Sequence, residues 1–127
     1  MKDNTLLITA DTIVRLDGKV YGKPRDTADA KAMLQALSGK THTVITGVTL
    51  TSLQKQLSFA VSTEVTFAAL GDDEIDYYVE TYRPLDKAGA YGVQEWIGYI
   101  GVTGLKGSYY NVMGLPIQRL YTELKKF

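Results

Sequence analysis

Several kinds of chemistry are excluded by residues that the sequence lacks. Its 127 residues contain no cysteine and one histidine, His42. Disulfides, thiolate metal sites and cysteine nucleophiles are therefore excluded, and one histidine cannot form a multi-histidine metal site within one chain. No uninterrupted apolar run approaches the roughly 18 residues that a membrane-spanning helix needs. The polar start shows no signal-peptide pattern, so we expect a cytoplasmic protein.

An excess of charge of either sign is also missing. Lys and Arg number 14, Asp and Glu number 14, and the formal net charge is zero. Binding to nucleic acid or to an anionic membrane usually needs a basic excess, so we expect neither partner. The length and the 45% hydrophobic content are typical of one compact domain, here residues 1–127.

Hydrophobic periodicity predicts the order β-β-α-β-β-α-β-α. This order indicates an α/β (α+β) domain with a mixed, mostly antiparallel sheet and flanking helices. The strands are predicted at Leu6–Leu16, Val20–Tyr21, Val44–Leu50, Phe59–Phe67 and within Ile97–Leu105.

The predicted helices follow apolar residues spaced three and four apart. Their apolar stripes run over Ala30–Leu37, Ile75–Tyr82 and Ile117–Leu124. Tyr78, Tyr82 and Tyr121 lie on these stripes, so we expect all three side chains in the core.

Asp11 is the most informative residue, because the segment around it, Leu6–Val14, is otherwise suited to burial. An unpaired buried carboxylate is costly, so Asp11 needs a cation, hydrogen-bond donors or a solvent-filled cleft beside it. The alternative is that Asp11 ends the buried segment in a turn or faces water. Its position alone leaves both interpretations open.

Two lysine motifs invite comparison with phosphate-binding loops. Gly22-Lys23-Pro24 places an ammonium group on a stiff loop, where it can contact a phosphate or remain solvated. Ser38-Gly39-Lys40-Thr41 is similar to the end of a phosphate-binding loop. However, it follows a predicted helix and precedes a strand, which is the reverse of the order that the motif requires. We therefore reject this second motif as a nucleotide-binding loop.

The segment Asp86–Gln94 is dense in glycine and alanine, so a ligand can approach its main chain closely. The Gln94 amide can both donate and accept hydrogen bonds, which suits the edge of a base. The alternative is a structural glycine turn with a surface glutamine.

His42 opens a predicted strand and is expected to be structural. Ser108 has no accompanying His-Asp pattern, so a catalytic triad has no support.

Six segments taken together resemble the Maf family of nucleotide pyrophosphatases. They span nearly the whole chain, and the last two are long enough to be specific. In chain order the segments are Ala10–Val14, Gly22–Pro24, Leu37–His42, Thr46–Val48, Pro84–Gln94 and Gly107–Pro116. The fifth is more similar to the branch acting on dTTP and UTP than to the branch acting on 7-methyl-GTP.

The resemblance implies a fold like that of Maf proteins and inosine triphosphatases. It also implies hydrolysis of dTTP or UTP to the monophosphate and pyrophosphate, assisted by Mg²⁺ or Mn²⁺. Asp11 matches the family's proton acceptor and is the expected metal-binding residue. Lys23 matches a phosphate-contacting lysine, and Lys87 is expected to bind substrate as well. Thr12 and Gln94 match positions tied to base choice.

The sequence departs from the family pattern before Asp11. Family members begin with a strand and a Ser-Pro-Arg-Arg loop that supplies phosphate-binding arginines, and this sequence has no such loop. We therefore expect weak triphosphate binding, because positioning and charge neutralisation dominate phosphoryl transfer. We also expect exposed apolar surface on the sheet and self-association, for instance as a homodimer.

Two functional hypotheses remain after this comparison. The first is a pyrimidine nucleoside triphosphate pyrophosphatase, with impaired activity in this chain. The second is a non-catalytic nucleotide-binding or regulatory protein, connected with the septum formation and cell-division arrest to which the family is linked. A purely structural protein with coincidental motifs is disfavoured by the length of the matching segments.

Overall fold

Five strands form one sheet in the computed structural model, which describes residues 5–127. The sheet has the order β2-β1-β3-β4-β5, and all four pairings are antiparallel. The strands are β1 (Leu7–Leu16), β2 (Lys19–Tyr21), β3 (Thr41–Thr51), β4 (Gln56–Phe67) and β5 (Val102–Lys106). The predicted α/β layered fold is confirmed, and its sheet is antiparallel at each described pairing rather than mixed.

The helices follow the predicted order, with two short additions in the glycine-rich region. They are α1 (Thr27–Leu37), α2 (Asp72–Tyr82), α3 (Trp96–Gly101), α4 (Tyr109–Val112) and α5 (Ile117–Lys126). The strand expected within Ile97–Leu105 begins only at Val102, because the first half of that apolar run is helical. A short apolar run does not distinguish a buried helix from a strand.

The core lies between one face of the sheet and the helices that cover it. Alternate residues of β3 point to that face, and the buried ones are His42, Val44, Thr46, Val48 and Leu50. One large apolar cluster joins β1, β3 and β4 to α1 and α2. A smaller cluster joins Val48 and Leu50 to Leu120 of α5.

Over residues 5–127, no helix is both long and apolar enough to cross a membrane.

The first half of β1 is exposed, which contradicts the predicted burial of Leu6–Ala10. Leu7 is 52% exposed and Ile8 is 41% exposed. The physical reason is that β2 pairs only with Val14–Leu16, so among the described residues the rest of β1 has a neighbour only on its β3 side. This sheet edge is the exposed apolar surface that the sequence led us to expect.

The tyrosine prediction holds at one of three positions. Tyr78 is fully buried, whereas Tyr82 is 39% exposed and Tyr121 is 62% exposed. Tyr82 lies in the last turn of α2, beyond the buried stripe that ends at Val79. Leu120 is the buried residue of α5, where it packs into the small cluster. Because only a narrow strip of the helix faces the sheet, the neighbouring Tyr121 lies in solvent.

His42 lies on the buried face of β3, in an aromatic cluster with Phe67 and Tyr91. Its Nε2 atom lies 2.7 Å from the hydroxyl of Tyr91, and its ring contacts Phe67 edge-on with a centroid separation of 5.1 Å. Burial lowers the pKa of His42 to about 4. Among the described residues, Nδ1 is buried without a hydrogen-bond partner. The fold therefore requires the neutral imidazole, and the structural role predicted for His42 agrees with these contacts.

We expect the free energy of unfolding to fall as the pH drops from 6.5 toward 4. His42 titrates near 6.5 when unfolded and near 4 when folded, so over this window the unfolded chain binds the additional proton. The loss is about 1.4 kcal/mol per pH unit, or roughly 2 kcal/mol between pH 7.5 and pH 5. Urea denaturation of the unsubstituted chain and of His42→Gln at both pH values measures it. An equally steep pH dependence in the glutamine variant would assign the effect to other groups.

Candidate functional site

A pocket of about 210 Å³ collects side chains from four separate parts of the chain. These parts are β1, the loop after β2, the segment between α2 and α3, and the residues at the end of α4. All five residues predicted for the site line this pocket: Asp11, Thr12, Lys23, Lys87 and Gln94. The fold thus brings together five predicted residues that lie up to 83 positions apart, counted from Asp11 to Gln94.

Asp11 lies at the exposed edge of β1, where its carboxylate faces the pocket instead of the core. Its neighbour across the sheet is Gly47, and a Cβ atom built on Gly47 would meet no atom within 4 Å. The space beside the carboxylate is therefore open. Asp11 is therefore an exposed carboxylate that lines the pocket, and both interpretations left by the sequence, a carboxylate beside a solvent-filled cleft and one that faces water, agree with this position.

Lys23 is tied to the Asp86–Gln94 segment through its neighbour Gly22. The Gly22 carbonyl accepts a hydrogen bond of 3.1 Å from the Gly89 amide. Gly89 has φ +70°, and a Cβ atom there would lie 2.8 Å from Cγ2 of Val14. Only glycine combines this backbone conformation with so close an approach to β1. Gly89 therefore holds the Lys23 loop and the Asp86–Gln94 segment together beside β1.

Two ammonium groups and two carboxylates meet at the pocket. Lys87 Nζ lies 3.3 Å from Oδ1 of Asp86, beside Asp11 and Lys23 in the lining. The hydrogen bond from Lys87, helped by the charge of Lys23, lowers the pKa of Asp86. Asp86 is therefore ionised at neutral pH. Asp86 lies in the glycine-rich segment noted in the sequence but was not among the predicted site residues.

The main chain around Gln94 is held by a buried tyrosine. The Gly92 amide donates to the Tyr78 hydroxyl at 3.0 Å, and that hydroxyl donates to Oε1 of Glu95 at 2.5 Å. Burial, reinforced by Glu95, raises the pKa of Tyr78 far above its usual range, so the hydroxyl stays protonated. Gly92 and Glu95 flank Gln94, and Tyr78 therefore fixes the backbone that presents the Gln94 amide.

We expect Tyr78→Phe to lower the free energy of unfolding by about 1–3 kcal/mol, because the Gly92 amide loses its acceptor and Glu95 its donor. Tyr82→Phe is the matched control, since Tyr82 stacks on Tyr78 at 5.1 Å on the same helix and is partly exposed. That control should change stability by less than about 0.5 kcal/mol. Urea denaturation measures both, and equal effects would contradict a specific role for the Tyr78 hydroxyl.

The segment Gly107–Pro116 is anchored under the sheet by Asn111. Its Nδ2 donates to the carbonyls of Val44 and Val61, at 3.2 Å and 2.9 Å, and contacts the Thr63 hydroxyl at 3.0 Å. This anchor positions the pocket-lining residues that follow, Val112 to Gly114. The sequence analysis did not identify Asn111 or its hydroxyl partner Thr46. A signal was available for Thr46, which is a polar residue on the buried face of an alternating strand.

The family model described as Maf-like protein matches residues 1–127. The chain belongs to the Maf family. The resemblance inferred from the six sequence segments is thereby confirmed over the whole chain.

Curated relatives of this Maf-family chain include three proteins named dTTP/UTP pyrophosphatase. The protein from Phocaeicola vulgatus is 67% identical over 99% of this chain and 65% of its own length. The protein from Bacteroides thetaiotaomicron is 62% identical, with the same coverage of 99% and 65%. The protein from Porphyromonas gingivalis strain W83 is 58% identical over 100% of this chain and 64% of its own length. This chain therefore spans slightly less than two thirds of the relatives that it matches.

Proposed function

We propose that this chain forms a nucleotide site that hydrolyses dTTP or UTP to the monophosphate and pyrophosphate. The observation that carries the proposal is the meeting of Asp11, Lys23 and Gln94, with Thr12 and Lys87, in one pocket. Membership in the Maf family and the names of the similar proteins support the same reaction.

Each side chain has a role that suits its place. Asp11, exposed in open space, accepts a proton from the attacking water, which then forms a bond to phosphorus as the anhydride bond to pyrophosphate breaks. Lys23 and Lys87 offset the negative charge of the phosphates. Thr12 and Gln94 present a hydroxyl and an amide to the base.

A divalent cation fits this pocket as a companion of the substrate. Over residues 5–127, no cluster of three or more histidine, cysteine, aspartate or glutamate residues can hold a metal. However, Mg²⁺ commonly binds one or two carboxylates together with substrate phosphates. Asp11 and Asp86 are the carboxylates in the lining, and we propose Asp11 as the main ligand. The bound cation, Mg²⁺ or Mn²⁺, would neutralise phosphate charge.

Nucleotide binding without hydrolysis is the second candidate. It is favoured by the cations available: among the described residues, the pocket lining contains two lysines and no arginine. Lysine is a point charge, whereas arginine holds phosphate oxygens with two parallel hydrogen bonds. A site of this kind would bind the triphosphate but position it poorly for attack. A regulatory role connected with septum formation and a cytoplasmic location both stay predictions.

We expect Asp11→Asn to lower pyrophosphate release from UTP and dTTP at least about 100-fold, because the amide cannot accept the proton. Asp17→Asn is the matched control: Asp17 lies in the turn between β1 and β2, outside the pocket lining, and its φ of +51° suits asparagine. Pyrophosphate release with Mg²⁺ measures activity, and calorimetry measures binding. Equal rates for Asp11→Asn and the unsubstituted chain would remove Asp11 from the mechanism. Binding without release by the unsubstituted chain would favour the second candidate.

We also propose that the exposed edge of β1 pairs with a second copy of this chain. An open strand edge with apolar side chains is a template for strand pairing, and a lysine there opposes it. Leu7→Lys should therefore shift the chain toward the monomer. Leu53→Lys is the control, because Leu53 is similarly exposed, at 48%, in the loop between β3 and β4. Light scattering across a concentration series measures the mass. A monomeric unsubstituted chain would contradict the proposal.

A further inference from the structure

Behind the pocket, a buried threonine connects the Thr12 hydroxyl to the main chain of α4. Thr46 is 0% exposed and lies opposite Thr12 in the pairing of β1 with β3. Its Oγ1 atom is 2.8 Å from Oγ1 of Thr12 and 3.2 Å from the carbonyl oxygen of Asn111. The three oxygens therefore form a chain that runs from the pocket to the interior.

The positions of these oxygens determine which hydroxyl donates each hydrogen bond. A carbonyl oxygen only accepts, so the contact between Thr46 and Asn111 is a hydrogen bond only if Thr46 donates. Thr46 has one hydroxyl proton, and once that proton points to Asn111 the contact with Thr12 must be donated by Thr12. The opposite arrangement would leave two buried oxygens facing each other at 3.2 Å with no proton between them.

The Asn111 carbonyl is fixed in this position. The Asn111 side chain donates to the carbonyls of Val44 and Val61 on β3 and β4, and its backbone amide donates to the hydroxyl of Ser108. The residue is 0% exposed. Since Asn111 cannot turn away without breaking these bonds, Thr46 has a permanent acceptor. Thr12 therefore presents only oxygen lone pairs to the pocket.

We propose that Thr46 is a positioning residue that makes Thr12 an obligatory acceptor, so that the pocket selects bases with a ring N–H. This inference rests on the proposed function and adds a reason for base choice. Uracil and thymine have a donor at ring position N3, whereas cytosine has an acceptor there. The Gln94 amide cannot make this distinction alone, because its flipped orientation exchanges donor and acceptor. The fixed Thr12 hydroxyl removes that ambiguity.

The first test measures base preference in the absence of hydrolysis. The α,β-methylene analogues of UTP and CTP are titrated by NMR or calorimetry in Mg²⁺ into the unsubstituted chain, Thr46→Val and Thr46→Ser. We expect the unsubstituted chain to prefer the uridine analogue about tenfold or more. In Thr46→Val the Thr12 hydroxyl can rotate, so the cytidine analogue should gain affinity while the uridine analogue changes little. Thr46→Ser should restore the preference.

Thr66→Val is the matched control, because Thr66 forms a similar cross-strand pair with Thr41, at 2.8 Å, outside the pocket lining. Its preference should equal that of the unsubstituted chain. General damage to the fold by Thr46→Val would weaken both analogues together, and that result would overturn the inference. An unchanged preference in Thr46→Val would also overturn it and leave the proposed function intact. Binding of neither analogue by the unsubstituted chain would overturn both.

A second test reads the proton direction without any nucleotide. A hydroxyl proton that Thr46 donates to Asn111 should exchange slowly with water and show a through-bond coupling to the Asn111 carbonyl carbon in NMR. Absence of this coupling, or exchange as fast as that of the exposed Thr41 hydroxyl, would contradict the assigned direction. This measurement uses no nucleotide. A negative result would therefore overturn the inference about Thr46 and leave the proposed function intact.

Discussion

The site depends on one buried polar contact, the hydrogen bonding of the Asn111 side chain to both β3 and β4. Two apolar clusters cover the same face of the sheet, and the polar residues Thr46, Thr63 and Asn111 are buried on it as well. A buried amide nitrogen needs acceptors to offset its loss of water, and Asn111 Nδ2 finds them in the carbonyls of β3 and β4. These directional bonds hold the α4 segment in one place. Apolar packing alone would tolerate small displacements of the same segment.

A similar arrangement operates at the part of the pocket lining that contains Gln94. There the Tyr78 hydroxyl bridges Gly92 and Glu95, so a residue of the core sets the position of the exposed Gln94. In both walls the group that faces the ligand is accessible, and the group that orients it is buried. The Tyr78 hydroxyl and the Asn111 Nδ2 atom both bond to protein atoms, whereas Oδ1 of Asn111 is buried without a hydrogen-bond partner among the described residues. The pocket can therefore hold its shape although its lining is polar and its charged side chains are largely solvated.

The sequence predicted the members of the pocket better than it predicted their surroundings. Asp11, Lys23 and Gln94 could be identified because their segments repeat a family pattern. The order of the main elements followed from periodicity, since alternation and three-to-four spacing are local properties. The burial of Leu6–Ala10 was wrong because exposure depends on whether another strand lies alongside β1, and that is a property of the whole sheet.

The residues whose hydrogen-bonding roles were not predicted from the sequence share a physical feature. Thr46, Tyr78 and Asn111 act through hydrogen bonds to partners that are distant in sequence, and no local pattern records such partners. Tyr78 lies on an apolar helical stripe, where its ring satisfies the core and its hydroxyl leaves no trace in the periodicity. The expected burial of Tyr82 and Tyr121 was wrong for the converse reason. A stripe predicts which face of a helix is apolar, but the width of the contact depends on the neighbouring element.

Under the proposed function, charge and hydrogen bonding divide the tasks of recognition in this pocket. The ammonium groups of Lys23 and Lys87 would attract any polyphosphate, and such attraction is nearly independent of the base. Base choice must therefore come from neutral groups with a fixed direction. An amide whose two orientations are equally available accepts both types of base edge. A hydroxyl whose proton is held by a buried acceptor has one orientation, so a contact formed in the interior of the protein sets what the surface can bind.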